Sequence, residues 1–380
     1  HYIANAEFQD NRTIGKHQIS AGVNLRGVSF RNTLDPITGG AFTREDFTEL
    51  LWGVFIQDQI ALSPKADLTL GVKSETWTLI DNEPEFSPNL RLSIRPSENL
   101  TIWGSASRTV TAPGVIQTDF ELALIEAIPG LIPFDITIIT SDELDQPSYL
   151  TGELGVRATK GKVAFDFTGF YIKADNLIGT TTISDTPQPS SVFTDKMILP
   201  IFYANVTEAT NYGAETILRY APSEKVRFEL SHAYYTSEET GKTDPVSGQP
   251  FEVNEPEAPV MPEHVVRFKT YLTFNNNFEL TFNSIYSTRT GDSDRFFYDQ
   301  QRTEFLGFPG DQGFSLEGAP TDRFRLDFKA ERFFNDRNAS IFVWGTDVLN
   351  TGKLEQYNSF LSGIPTQIHA LFGVGAAVKL

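Results

Sequence analysis

LWGVFIQDQIALSPKADLTLGVKSETWTL, residues 51–79, carries two signals that together decide the fold. Trp52, Val54, Ile56, Ile60 and Leu62 alternate with Gly53, Phe55, Gln57, Gln59 and Ala61. A period of two puts the sets on opposite faces of an extended strand. SPKAD at 63–67 then supplies turn residues, and a second extended run follows over 68–79. The same alternation recurs: Leu90, Leu92 and Ile94 against Asn89, Arg91, Ser93 and Arg95; Phe278, Leu280 and Phe282 against Glu279, Thr281 and Asn283; Phe324, Leu326 and Phe328 against Arg323, Arg325, Asp327 and Lys329.

About fifteen strands are expected on this pattern, near 2–10, 17–30, 51–62, 68–79, 87–95, 100–110, 150–158, 163–174, 204–221, 226–237, 263–275, 278–288, 322–334, 339–350 and 368–380. Each is near the length of about ten residues that a tilted strand needs to cross a membrane. Short turns at 63–67, 96–99, 160–162, 222–225 and 335–338 alternate with long loops near 31–50, 111–149, 175–203, 238–262, 289–321 and 351–367. Outer-membrane barrels keep short turns on the periplasmic side and long loops outside, whereas soluble sandwiches mix the two. The expected fold is therefore all-β: a transmembrane antiparallel up-and-down β-barrel wall.

Composition agrees. Of 380 residues 40% are hydrophobic and 31 are Phe, yet mean hydropathy is -0.23, so the apolar residues are dispersed. The most apolar stretch, 120–139, is broken by Glu121, Glu126, Pro129, Pro133 and Asp135, which rules out a membrane-spanning helix of about 20 apolar residues there. A net charge of -18 excludes nucleic acid as a partner, because phosphate binding needs clustered Lys and Arg. The absence of Cys removes disulfides and thiolate metal sites.

Motifs of catalysis are missing. GVGAAV at 373–378 lacks the third glycine of a dinucleotide loop and reads as small barrel packing; neither Gly-x-Ser-x-Gly nor His-Glu-x-x-His occurs. His1, His17, His232, His264 and His369 are scattered, and Asp292, Asp294, Asp299 and Glu304 match a calcium loop only loosely. No catalytic residue, metal site or cofactor is expected. Alternation turns Arg91, Arg95, Arg157, Glu215 and Arg219 inward as a polar lining. It turns Phe165, Phe167, Phe278, Leu280, Phe282, Leu326 and Phe328 outward into lipid, so that Leu326→Arg should be costly and Asp327→Arg mild. The loop at 111–149 is unusually apolar and reads as a protein-partner surface or a lid over the mouth. Loop 238–262, rich in Glu and Asp, reads as a solvated face able to hold divalent ions that bridge lipopolysaccharide.

Several segments resemble, in order, the C-terminal half of TonB-dependent receptors: VFIQDQIALSPKADLTLGVKSE (54–75), FSPNLRLSIRPSENLTIWGSASRTVTAPG (86–114), LDQPSYLTGELGVRA (144–158), YANVTEATNYGAETILRYAPSE (203–224) and DVLNTGKLEQY (347–357). Two positions depart from the pattern: Ser148 stands where Glu is usual, and Leu380 replaces the terminal aromatic. The resemblance implies a share of a barrel of about 22 strands, with the plug domain, TonB box and first strands lying before His1. It implies active uptake powered by the inner-membrane TonB complex acting through a plug, with outer-membrane lipid and lipopolysaccharide around the wall and inward charges bonded to the plug. A ferric siderophore leads cobalamin, haem and glycans as substrate. Arg289, Arg295, Phe296, Phe297, Tyr298, Arg302, Phe305 and Phe308 then become the candidate ligand contacts, since aromatics and Arg suit a chelate with aromatic groups. The alternative is that these aromatics pack the loop on itself and anchor it at the interface. A passive porin and a structural or adhesive scaffold remain the rival functions. The chain begins at His1 rather than Met, and the odd strand count leads us to expect that the first and last strands do not close a ring with each other.

Overall fold

A computed structural model of the chain describes residues 2–31, 40–43, 46–78, 83–125, 134–140, 144–190, 196–251, 253, 261–275, 277–288, 322–349 and 370–378. The elements run, in order, β1 (Tyr2–Ile14), β2 (His17–Arg31), β3 (Gly40–Phe42), β4 (Asp46–Ser63), β5 (Ala66–Trp77), β6 (Glu85–Ser97) and β7 (Leu100–Val110). A short helix α1 (Val115–Asp119) precedes β8 (Phe120–Ile125), β9 (Asp135–Ile139), β10 (Ser148–Lys160), β11 (Val163–Thr180) and β12 (Gln188–Pro189). The chain continues through β13 (Met197–Ser223), β14 (Val226–Gly241), β15 (His264–Phe274), β16 (Phe278–Ser287), β17 (Arg323–Phe334), β18 (Ala339–Thr346) and β19 (Leu371–Val378).

Fifteen of these strands, β1, β2, β4 to β7, β10, β11 and β13 to β19, form one antiparallel meander in which each pairs with its neighbours in the chain. They fall at the fifteen expected positions. Among the described residues β1 pairs only with β2 and β19 only with β18, so these strands do not close a ring with each other.

The short-turn edge is zipped by a repeated device. Each turn offers a carbonyl, from Lys16, Lys65, Asn99, Lys162, Lys225 or Asn277, to an amide of the next hairpin (Ala61, Arg95, Thr159, Ala221, Thr273 or Phe333) at 2.7–2.9 Å. Each hairpin end therefore steps past its neighbour, the stagger that tilted strands of a curved wall require. Gly15 and Gly161 occupy turns with φ of 60° and 57°, a region where a Cβ would be strained.

Register fixes the two faces. Phe165 pairs with Leu218, Leu218 with Leu230, Leu230 with Phe268, Phe268 with Ser284 and Ser284 with Leu326. Directly paired residues share a face, and step-two neighbours bring Phe167, Phe278, Leu280, Phe282 and Phe328 onto it. This face carries Leu154 at 64% exposed and Val374 at 74%, a degree of apolar exposure that suits lipid and not water. Gly373 and Gly375 do serve packing: a Cβ on either would lie 2.4–2.5 Å from the rings of Trp344 and Phe342 on the opposite face.

One expectation fails at the extracellular end. The spans read as loops at 31–50, 111–149 and 175–203 hold a second, small sheet of order β3, β8, β9, β13, β12. It grows on β13, whose 27 residues far exceed the approximately ten needed to cross a membrane. β9 lies parallel to the start of β13, Asp135 opposite Ile198 through Ile139 opposite Phe202. Buried residues gather here, including Ile138, Leu144, Ile198 and Val206. Among the described residues the apolar side chains of 111–149 are largely taken up in packing, with Ile116 alone exposed; residues 126–133, the middle of the stretch read as a partner surface or lid, lie outside the described residues.

Candidate functional site

The inner face carries an alternating series of charges across five strands. Arg157 on β10 donates to Asp166 on β11. The other oxygen of Asp166 takes Arg219 Nη1 of β13 at 2.9 Å, Arg219 Nε reaches Glu229 of β14 at 2.9 Å, and Lys269 of β15 lies 3.6 Å from Glu229. Each carboxylate sits between two cations. Arg95 pairs in the same way with Asp67 on β5. Further along, Asp327 on β17 accepts from Arg325 Nε (2.7 Å), Thr346 Oγ1 (2.7 Å), the Asp347 amide (3.0 Å) and Asn283 Nδ2 (3.1 Å). Single ion pairs at a wet surface contribute little, but a network that fixes long side chains along a wall gives it a defined charge pattern.

The expected inward residues Arg91, Arg95, Arg157, Glu215 and Arg219 all lie on this face, as the register shows: Arg91 opposite Ser105, Ser105 opposite Glu153, and Thr168 opposite Glu215. Arg157, Glu215 and Arg219 share a polar hollow of about 380 Å³ with Trp103, Asp166 and Thr168. Arg91 and Glu215 make no side-chain hydrogen bond or ion pair among the described residues, in contrast to their neighbours. Glu153, which sequence reading passed over, accepts from Ser105 Oγ at 3.2 Å on the same face. The glycines beside the two glutamates have a physical reason. A Cβ on Gly155 would meet the Trp103 indole at 2.1 Å, and one on Gly213 would meet the Tyr234 carbonyl at 2.2 Å and the Phe170 ring at 2.7 Å. The inner aromatics Trp103 and Phe170 occupy the space a side chain at these glycines would take.

At the mouth, polar hubs tie the second sheet to the wall. Asn205 accepts from the Asp145 amide at 2.8 Å and donates to the carbonyls of Asp145 (2.9 Å) and Asn176 (2.6 Å). Asp244, just beyond β14, is buried and takes the amides of Thr182, Val246 and Ser247 at 2.7–3.1 Å. Burial alone pushes its carboxyl up, but those three amides outweigh it and hold the group below the usual carboxylate range. In the second sheet Lys196 Nζ lies 2.8 Å from the buried Asp135, and the buried Glu121 accepts from Ser190 Oγ. Aromatic contacts join Phe42 to Phe120 within this sheet (5.0 Å) and, through Phe30, tie Phe42 (5.9 Å) to Phe47 of the wall (Phe30–Phe47 5.6 Å).

The candidate ligand residues Arg289, Arg295, Phe296, Phe297, Tyr298, Arg302, Phe305 and Phe308, and the acidic positions 292–304, lie outside the described residues. Two of the histidines read as scattered come together: His232 Nε2 and His264 Nδ1 are 3.0 Å apart on neighbouring strands, with Tyr234 stacked on His264. Parity of the strands would have placed both on the outer face; the register that joins them is not in the local sequence.

Residues 2–360 match a family model described as TonB dependent receptor-like, beta-barrel. An iron-regulated outer membrane virulence protein of Vibrio cholerae is 24% identical over 246 residues, 62% of this chain and 34% of that protein. Among solved structures, the siderophore receptor PirA from Acinetobacter baumannii aligns with a TM-score of 0.71 at 14% identity, over 99% of this chain and 54% of that one. A mutant ferric enterobactin receptor PfeA from Pseudomonas aeruginosa, in complex with enterobactin, gives 0.69 at 14%, over 98% and 53%. The FrpB iron transporter from Neisseria meningitidis gives 0.66 at 13%, over 98% and 54%. The chain spans about a third of the curated relative and about half of each solved structure. At these identities the structural likeness speaks for the fold alone.

Proposed function

The chain belongs to the TonB-dependent receptor-like β-barrel family of the outer membrane, and from that premise we propose that it forms wall and mouth of a receptor taking up a ferric siderophore. The cycle is binding and gated passage with no covalent step. Substrate meets the extracellular loops, with Phe296, Phe297 and Tyr298 stacking on it and Arg289, Arg295 and Arg302 meeting its negative charge. A plug carried elsewhere in the protein fills the lumen, and the inner-membrane TonB complex supplies the energy to move it.

One observation carries this reading: the inner face is a charge network with two members, Arg91 and Glu215, left without side-chain partners among the described residues. A lumen that merely conducted water would leave such groups hydrated. A plug-filled one uses them as docking points, strong enough to seat the plug and exchangeable enough to release it. The test is charge reversal in the full receptor. Glu215→Lys and Arg91→Glu should cut energised uptake of labelled ferric siderophore several-fold while binding to de-energised cells persists. Normal uptake in both variants would remove the proposed docking role, and energy-independent uptake in the unaltered protein would remove the transport reading.

A further inference from the structure

The outer face of the wall is not uniformly filled. Across β4, β5, β6, β7 and β10 runs the row Asp58, Leu70, Leu90, Ala106 and Gly152, each residue paired with the next. Small residues interrupt it. Pro88 and Ala106 floor a furrow of about 620 Å³, and Ile56, Leu70, Leu90 and Leu150 stand up as its walls. At Gly152 a side chain would enter open space, so the furrow's floor continues onto β10. Ile56 is 52% exposed and Leu150 57%. The lining is almost wholly apolar, so in a bilayer the furrow fills with hydrocarbon.

Its long-loop end is basic. Arg108 pairs with Leu150, and Leu150 with Lys173, so two cations flank one leucine on the same outer face. Two strand intervals separate them by about 10 Å. Arg108 uses Nη1 for Glu85 (2.9 Å) and the Phe86 carbonyl (2.7 Å), while Nε and Nη2 donate to nothing among the described residues. Among the described residues Lys173 has only a loose contact, Glu208 at 3.9 Å. Glu85 and Glu208 thus hold each cation from one side and leave donors free. Both cations sit near the ends of strands that lead to long connections, Arg108 in β7 and Lys173 in β11, and hence toward the outer leaflet. We propose that this furrow seats an acyl chain of the phosphorylated glycolipid of the outer leaflet, with Arg108 and Lys173 holding its phosphates. Position, apolar volume and the spacing of two cations suit a headgroup with two phosphates better than the single phosphate of a phospholipid. This inference is independent of what the receptor transports.

The test is native mass spectrometry of the full receptor extracted from outer membranes in mild detergent, scoring only material whose gel mobility is heat-modifiable and hence folded. Wild type should retain the glycolipid stoichiometrically. Arg108→Gln with Lys173→Gln should weaken retention by about thirtyfold, the effect expected of two basic residues near a membrane surface. Ala106→Trp and Gly152→Phe, which fill the furrow, should abolish retention with the charges intact. Phe282→Ala, elsewhere on the outer face, should leave it unchanged. Loss in the furrow and charge variants with retention in Phe282→Ala supports the site. Equal retention in all variants, no retained glycolipid in wild type, or retention of ordinary phospholipid alone overturns it.

Discussion

Placing one arginine on each face of the wall tests the inside/outside assignment most directly. Phe282 lies at the middle of β16, outward, paired with Thr270 on one side and Phe328 on the other. Phe282→Arg brings a cation to the mid-depth of the lipid-facing band and removes an aromatic from it; the expected cost is about 2–4 kcal/mol. The matching substitution is Ala233→Arg. Ala233 faces inward, directly opposite Glu215, and lies farther from its short turn than Phe282 does. An arginine there meets a carboxylate that has no side-chain partner among the described residues, so the change should be neutral or stabilising by up to about 1 kcal/mol. The two variants should therefore differ by roughly 3 kcal/mol in denaturant unfolding from lipid vesicles, followed by tryptophan fluorescence. Stabilities within about 1 kcal/mol of each other, or the reverse order, would refute the assignment of faces. Asp327→Arg, which the sequence suggests as a mild inward change, is unsuitable: it would strand four donors that converge on Asp327 and set a second cation beside Arg325.

Three further outcomes are expected. Gly155→Val should destabilise the wall by about 1–3 kcal/mol, because its Cβ collides with the Trp103 indole, and Trp103→Ala in the same chain should recover part of the loss. Replacing Phe296, Phe297 and Tyr298 together with Ala should weaken siderophore binding without altering heat stability; unchanged affinity would move the contact to another loop. The Asp244 tie should be sensitive to acid. Its carboxyl titrates lower folded than the ordinary 3.8, so its contribution is full above that value and lost as pH falls through the folded one. Hydrogen exchange at the Thr182, Val246 and Ser247 amides, corrected for intrinsic rate, should therefore accelerate only below about pH 4 in the wild type and at all pH values in Asp244→Ala. A flat profile in the wild type would assign the tie to packing.

Strand positions were legible in the sequence because they depend on local information. Alternation in segments such as 89–95 and 278–283 follows from pleat geometry, and turns such as SPKAD follow from the backbone preferences of Ser, Pro and Asp. The same parity places Arg91, Arg95, Arg157, Glu215 and Arg219 inward, so the sequence determines the face of each candidate lumen residue. It does not choose their partners. That Asp166 joins Arg157 to Arg219, while Glu215 has no side-chain partner among the described residues, depends on register between strands, which the neighbouring hairpin's turn sets. The second sheet is a stronger case. Residues 135–139, Asp-Ile-Thr-Ile-Ile, alternate over too few positions to declare a strand, and their isoleucines look like part of an exposed patch until the chain returns about 60 residues later to lay 198–202 beside them. Parallel pairing between distant segments leaves no local mark, because the apolar side chains it buries are those an open surface would also display. His232 and His264 met for the same reason: each strand's sequence fixed a face, and only the tertiary register brought their rings within 3.0 Å.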